Sequence, residues 1–391
     1  MAGADACPGI VDLHEARDGQ VARIRLPGGY AGAAALAALA AMAARFGDGR
    51  IDLTARGNVQ LRGIRPGQAG ELAQRAAAAG LLPSPAHDRA RNITASPLAG
   101  LAGRPALRGL VRSLDRAIRA DPGLAALPGR FVFCLDDGTG RAGISHGDAG
   151  LRRRAQGFDV IVAGRLTGLH GPAAEGVGRM IAAARAFLGQ RLTASASAPP
   201  ADAAPAGTRP VSNRVGDLPD EGAGVATAIG GVLGKRATDT TARLPLGPLA
   251  EPAPVAVVAA PLARLTAEQL RLMAGLVRPG EVARLAAAGR IVLPLAGPVD
   301  TVLPQLAAAG LLVADDHPLA AVTACSGMAC TSALADVRAL AAPVPGLTAV
   351  HWAGCGRRCG LPGDATAVVA ASPSQFTVAD GTSRVLSVVP G

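Results

Sequence analysis

Lysine is nearly missing from this chain. Of the 39 basic side chains in its 391 residues only Lys235 is a lysine, so the formal net charge of +10 is an arginine charge. Arginine grips carboxylates and phosphates through a planar fork, whereas lysine offers a hydrated point charge. Aromatics are scarce as well: one Trp, one Tyr and six Phe. Single-stranded nucleic acids are held on aromatic platforms as well as by charge. The expected partner is therefore a small anionic molecule and not a nucleic acid, although part of the arginine content also fits a general Ala/Arg/Gly/Pro coding bias. No dinucleotide-binding fingerprint is read in the chain, so a built-in nicotinamide domain is not expected. The longest apolar stretch, residues 31–44, is mostly alanine and too short to span a bilayer. The opening MAGADACPGIVDLHE has neither the basic start nor the apolar core of a signal peptide. A reducing, cytoplasmic setting without membrane contact is expected, in which thiols stay free for metal.

Cysteine is rare and clustered. Only Cys7 and Cys134 lie outside the C-terminal region; Cys325 and Cys330 sit in TACSGMACTSALADVR, and Cys355 and Cys359 in VHWAGCGRRCGLP. Soft thiolates at two close spacings suit an iron–sulfur cluster or a zinc ion. Zinc sites favour shorter C-x2-C knuckles, so the cluster is the preferred reading and a zinc-stabilised scaffold its rival. Gly354, Gly356 and Gly360 would let backbone N–H groups approach cluster sulfurs closely. His351 reads as a supporting residue, not an iron ligand. His87, His146 and His170 have no spacing that singles them out as ligands. Asp136-Asp137-Gly138 reads as a turn, and Asp336 with Arg338 as a solvated pair on a short helix.

The chain is long enough for two or three domains with ample core. It contains one long-period repeat. Residues 23–26 read as a strand, 31–46 as a helix, 51–63 as an extended segment, and a second helix ends in Ala77-Ala78-Ala79-Gly80-Leu81-Leu82. The series returns with a strand at 255–258, a capping box at Thr266 and Gln269, and a helix ending in Ala307-Ala308-Ala309-Gly310-Leu311-Leu312. Leu53, Ala55, Gly57, Val59 and Leu61 match Leu285, Ala287, Gly289, Ile291 and Leu293. The polar set Thr54, Arg56, Gln60 and Arg62 is replaced in the second copy by Ala286, Ala288, Val292 and Pro294. On one strand those four side chains would share a face and form a cradle for carboxylates. Residues 194–221 lack periodicity and are expected to be a linker or mobile segment.

The ordered set LTARGNVQLRG, RNITASP, LPGRFVF, the repeated half-domain and the cysteine quartet resembles the nitrite and sulfite reductase family over nearly the whole chain. ACPGI, RIRLPGG, FCLDDGTG and CTSALADVR favour the branch of that family that turns precorrin-3A into precorrin-3B in aerobic cobalamin biosynthesis. The resemblance implies an α+β fold: two ferredoxin-like half-domains (1–85 and 241–317), an α/β tetrapyrrole-site domain (86–193), a linker (194–240) and a C-terminal iron–sulfur domain (318–391). It implies a [4Fe-4S] cluster on Cys325, Cys330, Cys355 and Cys359, and a tetrapyrrole site that includes Arg56, Arg91, Asn92 and Arg130. The implied reaction is an O2-dependent hydroxylation at C20 with lactone closure from the ring-A acetate, fed by an external electron donor, NADH or a reductase. It admits a mononuclear non-haem iron beside the cluster. The alternative within the family is a siroheme-dependent sulfite or nitrite reductase, in which the thiolate matching Cys359 also bridges to the siroheme iron. Two departures stand out: the first cysteine pair is C-x4-C where the family has C-x5-C, and Arg130 with Val132 replaces a pair of lysines. A non-catalytic tetrapyrrole-binding protein is the third reading.

Overall fold

The structure, a computed structural model, describes residues 7–101, 103–196, 212–240, 242–380 and 384–387. In chain order the first half-domain contains β1 (His14–Ala16), β2 (Gly19–Ile24), β3 (Tyr30–Ala31), α1 (Ala33–Phe46), β4 (Arg50–Leu53), β5 (Val59–Ile64) and α2 (Ala69–Ala78). There follow β6 (Ile93–Ala95), α3 (Arg108–Ala120), β7 (Phe133–Asp136), β8 (Ala149–Arg153), β9 (Phe158–Val162), β10 (Arg165–Gly171), α4 (Ala173–Ala196) and α5 (Ala223–Ala228). The second half-domain contains β11 (Gly247–Pro248), β12 (Val255–Ala259), β13 (Arg264–Thr266), α6 (Ala267–Leu276), β14 (Ala283–Leu285), β15 (Arg290–Pro294) and α7 (Val299–Ala308). The C-terminal part adds β16 (Val322–Ala324), α8 (Val337–Leu340), β17 (Val350–Ala353), β18 (Thr366–Ala370), β19 (Gln375–Val378) and β20 (Val385–Ser387).

The chain divides into two compact units, one of residues 1–9, 25–28 and 84–240, the other of residues 10–24, 29–83 and 241–391. The second unit holds both half-domains, and they exchange strands. One sheet has the order β1-β2-β5-β4-β13 and the other β11-β12-β15-β14-β3. Each half-domain thus lends its short strand to the other's sheet, with Arg264 opposite Asp52 in one and Arg284 opposite Tyr30 in the other. Helices α1 and α6 pack together between the copies. On α1 the buried positions Leu36, Leu39, Ala40, Ala43 and Phe46 recur at helical spacing, which makes a sequence of mostly alanine amphipathic.

The capping box expected at the start of α6 is present. Thr266 Oγ1 accepts from the Gln269 N–H at 3.2 Å, and Gln269 Oε1 accepts from the Thr266 N–H at 2.9 Å. Replacing Thr266 by Ala is expected to cost about 1 kcal/mol, read as a lower midpoint in urea with an unchanged slope; an unchanged midpoint contradicts the cap's contribution.

The segment 51–63 is not one strand. Leu53 pairs with Val59, and residues 54–58 form the tip of a hairpin in which Gly57 takes φ +68°. Thr54 and Arg56 therefore lie in the turn and only Gln60 and Arg62 alternate along β5, so the single polar strand face expected for all four is not formed. The expected linker differs as well. Residues 197–211 lie outside the described residues, but 212–240 fold onto their own unit. The buried Asp148 carboxylate accepts from the Val132 N–H (2.8 Å), the Val215 N–H (2.7 Å) and Arg214 Nε (2.6 Å). Leu166 N–H donates to the Lys235 carbonyl at 3.0 Å, and Ala237 N–H to the Gly164 carbonyl at 2.8 Å. Backbone pairing of this kind gives an aperiodic stretch a fixed place without hydrophobic patterning. Among the described residues no helix is long and apolar enough to cross a membrane.

A second repeat went unread in the sequence. The sheet of the first unit runs β6-β7-β8-β9-β10, with the first two pairs parallel and the last two antiparallel. The C-terminal sheet β16-β17-β18-β19-β20 has the same order and the same directions. Ile93-Thr94-Ala95-Ser96 thereby corresponds to Val322-Thr323-Ala324-Cys325.

Candidate functional site

The correspondence extends to single hydrogen bonds, and it defines what is special about the cysteine end. Ser96 N–H donates to the Leu135 carbonyl at 3.1 Å, and Ser96 Oγ accepts from the Asp137 N–H at 3.0 Å. In the C-terminal sheet Cys325 N–H donates to the Trp352 carbonyl at 2.9 Å, and Cys325 Sγ accepts from the Gly354 N–H at 3.2 Å. One backbone frame thus presents a hydroxyl in one copy and a thiol in the other. Where the first copy surrounds Ser96 with the buried Asp136 and Asp137, the second has Ala353 and Gly354 followed by Cys355. The expected turn begins one residue later, since Asp136 ends β7 and the chain bends from Gly138; the Asp136 carboxylate accepts from the N–H groups of Gly138, Gly140 and Ala142.

Cys325 follows β16 directly. Its sulfur accepts two backbone hydrogen bonds, from Gly354 and from Gly327 at 3.4 Å. Such contacts stabilise a thiolate and tune a metal bound to it. Cys330 closes a turn onto the Gly327 carbonyl at 2.9 Å. Cys355 and Cys359 lie in the loop after β17, where Arg358 holds φ +50°, a left-handed conformation disfavoured outside glycine. Cys325, Cys330 and Cys355 are half-buried and Cys359 is exposed. Even so, the Cys359 thiol is pushed up, first by desolvation and then by the nearness of Cys355, Cys325 and Cys330. Cys359 thus lies near the other three sulfurs. Among the described residues no three or more His, Cys, Asp or Glu side chains are gathered tightly enough to hold a single metal ion. A donor set of four thiols with backbone N–H groups aimed at sulfur suits the chemistry of an iron–sulfur cluster, in which each thiolate binds a different iron.

His351 supports the site. It stands on β17 opposite Thr323 and Ala367, fully buried. Its Nε2 lies 3.1 Å from the Cys359 carbonyl, which can only accept, so Nε2 carries the proton. Nδ1 then accepts from the Thr323 hydroxyl at 2.9 Å. Burial pushes the imidazole down to about 4, and Arg338 adds to that effect. A neutral histidine with both nitrogens engaged holds the second cysteine loop and leaves no lone pair for iron.

Arg62 belongs to the first cysteine loop. It is buried, with Nε and Nη2 on the two oxygens of Asp18 at 3.0 and 2.9 Å. Its Nη1 donates to Ser326 Oγ at 3.2 Å and its Nη2 to the Ala329 carbonyl at 2.9 Å. Arg17 adds a backbone bond to the same carbonyl at 3.1 Å and a side-chain bond to the Thr331 carbonyl at 3.3 Å. Of the expected carboxylate cradle, Thr54 uses its hydroxyl to accept from the Arg56 and Asn58 N–H groups, and Gln60 lies half-buried opposite Asp52.

Arg91, Asn92 and Arg130 belong to the other unit. Arg91 is buried with Nε 2.7 Å from Asp115 Oδ1. Asn92 is fully buried; its Oδ1 accepts from Arg25 at 3.2 Å and its Nδ2 donates to the Phe131 carbonyl at 2.9 Å. It braces the LPGRFVF segment from within. Arg130, on that segment, is exposed.

Beside the first cysteine loop Arg338 is half-buried, whereas Asp336 is exposed. Asp336 caps α8 through the N–H groups of Arg338 and Ala339, while Arg338 turns inward and donates Nη2 to Asp52 Oδ1 at 3.3 Å. They are not the solvated pair expected. Asp52 also receives Arg264 through Nε at 2.5 Å and Nη2 at 3.2 Å. Burial pushes the Asp52 carboxyl up, but Arg338, Arg264 and the more distant Arg62 outweigh it and hold the group below its ordinary value. A carboxyl depressed on folding contributes stability that is fully present above the unfolded value, about pH 4, and is lost as pH falls through the folded value. Urea denaturation below about pH 4 should accordingly weaken the wild type more steeply than Asp52→Asn, which should be the less stable protein at pH 7. Parallel acid slopes contradict this.

Residues 14–79 match the nitrite/sulfite reductase ferredoxin-like half domain. A ferredoxin–nitrite reductase of Leptolyngbya laminosa is 37% identical over 121 residues, 29% of this chain and 24% of that protein. One from Synechococcus elongatus is 32% identical over 126 residues, 30% of this chain and 25% of that protein. The chain thus spans about a quarter of the length of these two nitrite reductases. A precorrin-3B synthase of a Sinorhizobium species is 28% identical over 395 residues, 95% of this chain and 81% of that protein. The Mycobacterium tuberculosis NirA structure superposes with a TM-score of 0.68 at 17% identity, covering 94% of this chain and 73% of that one. The chain is therefore an α+β protein with a nitrite/sulfite reductase ferredoxin-like half domain, similar over nearly its whole length to a precorrin-3B synthase.

Proposed function

We propose that this chain is an iron–sulfur oxidoreductase that hydroxylates precorrin-3A at C20 with O2 and closes the ring-A acetate onto the macrocycle as a lactone. The observation that carries this reading is the extent of the similarity: 95% of the chain aligns with a precorrin-3B synthase, against 29% and 30% for the two nitrite reductases. Cys325, Cys330, Cys355 and Cys359 would hold a [4Fe-4S] cluster, which when bound supplies single electrons. One oxygen atom of O2 enters the tetrapyrrole and the other leaves as water, with two electrons and two protons drawn from an external donor. The Asp18–Arg62 pair and the neutral His351 hold the two cysteine loops in place. Exposed Arg130 would meet substrate carboxylates, of which such a tetrapyrrole carries up to eight, each charge-assisted contact contributing roughly 1.5–3 kcal/mol. The buried Arg91, in the same unit as Arg130, is proposed to add positive charge there.

A second reading, a siroheme-dependent nitrite or sulfite reductase, is favoured by the half-domain match at residues 14–79 and by the higher identity of the nitrite reductases over their shorter overlap. Anaerobically purified protein separates the two. Iron, acid-labile sulfide and a broad visible absorbance without siroheme in an acid–acetone extract support the oxygenase. Extractable siroheme supports the reductase, and zinc without sulfide overturns both in favour of a metal-stabilised binding protein.

A further inference from the structure

We infer that Arg338, anchored by Asp52, is the cation that sets the reduction potential of the cluster on the four cysteines. The inference rests on the cluster reading above. Asp336 caps α8 and so starts the turn that sends the Arg338 side chain inward, to 16% exposure. Its Nη2 donates to Asp52 and its Nη1 to the Leu262 carbonyl, each at 3.3 Å, while Nε is buried without a partner. Its stem runs along Gly327, where an added Cβ would lie 3.8 Å from Arg338 Cγ. Gly327 is the residue whose N–H donates to Cys325 Sγ.

The surrounding charges give the group a definite sign. Asp52 is shared by Arg338 and Arg264, so two guanidinium groups face one carboxylate and the buried trio carries a net positive charge. The second half-domain has no counterpart: Arg284 stands in the place of Asp52, opposite Tyr30 in place of Arg264. The trio therefore belongs to the half-domain that meets the cysteine loop. When one electron passes from dithionite to the cluster, the cluster with its thiolates gains one negative charge. A fixed cation in a water-poor setting favours that reduced form.

The test is a potentiometric titration with dithionite, followed by electron paramagnetic resonance, on the purified full chain and on Arg338→Met, Arg338→Lys and Asp52→Asn. Loss of the cation should shift the reduction equilibrium of R338M by at least tenfold toward the oxidised form, a midpoint lower by about 59 mV for one electron. R338K should stay near the wild type, and D52N, which loses the anion, should shift upward. A purely structural role would change cluster content or melting temperature without opposite shifts in potential. Unshifted potentials, or shifts of one sign in R338M and D52N, overturn the inference. If R338M does not retain iron, D52N decides: an upward shift supports the inference and any other result overturns it. A wild type without iron and sulfide overturns both this inference and the cluster reading, whereas a loaded wild type with unshifted variants overturns this inference alone.

Discussion

Arg62→Ala is expected to cost about 3 kcal/mol of stability and, if the four cysteines hold the proposed cluster, to lower its iron content while the protein is still folded. Removing one partner of a buried ion pair costs about 3–5 kcal/mol because the other is left uncompensated. The lower end applies because the Asp18 side chain keeps 30% of its exposure and can recover water. The effect on metal has a separate cause. Arg62 bonds Asp18 with two nitrogens and reaches both Ser326 and the Ala329 carbonyl, residues that lie between Cys325 and Cys330. The shortened C-x4-C loop thus takes its shape from a clamp on the first half-domain's hairpin. Lysine cannot form the two-pronged contact, so Arg62→Lys should restore part of the stability and little of the metal. Urea midpoints and iron per chain check both effects. An R62A protein of wild-type stability with full iron content would contradict this role for the clamp.

Gly29→Ala and Gly57→Ala are expected to be the most damaging single-methyl additions in the half-domain pair. Both glycines have positive φ, +73° and +68°, and both face the Leu285 carbonyl at the end of β14. A Cβ would stand 2.3 Å from that oxygen at Gly29 and 2.7 Å from it at Gly57. Left-handed backbone costs a non-glycine residue about 1–2 kcal/mol, and overpacking against a fixed carbonyl adds about 1–3 kcal/mol. Together about 2–5 kcal/mol is expected for each variant. Gly49 is the control: its φ is +79° but nothing lies within 4 Å of an added Cβ. Gly49→Ala should show the backbone cost alone. Thermal or urea unfolding of the three variants measures the difference, and equal losses would mean that the close approach between half-domains contributes nothing.

Leu53, Gly57 and Val59 carried the first repeat into view because hairpin tips and buried strand positions constrain residue type in both copies. Gly289, the match of Gly57, has φ +70° and would bring a Cβ within 2.9 Å of Ala263 Cα. The strand exchange was not legible, since β3 and β13 are two and three residues long and pair with strands far away in sequence. The repeat of the α/β sheets was present in the sequence as ITAS and VTAC, but four residues with one polar change do not stand out without the hydrogen bonds that equate Ser96 with Cys325. The clustering of the four cysteines was visible because thiols are rare in the chain. Arg62 read as a carboxylate binder because its partner Asp18 lies 44 positions away in the chain. Arg338 read as half of a solvated helix pair for the same reason; its partner Asp52 lies 286 positions away in the chain.

The most direct measurement on the central claim is the mass of the tetrapyrrole product formed from precorrin-3A under 18O2, with cluster-loaded protein and a chemical or enzymatic electron donor. The expected product carries one heavy oxygen atom from O2, and no such product forms with the Cys325→Ser variant. Electron consumption with nitrite or sulfite and no oxygen incorporation would contradict it.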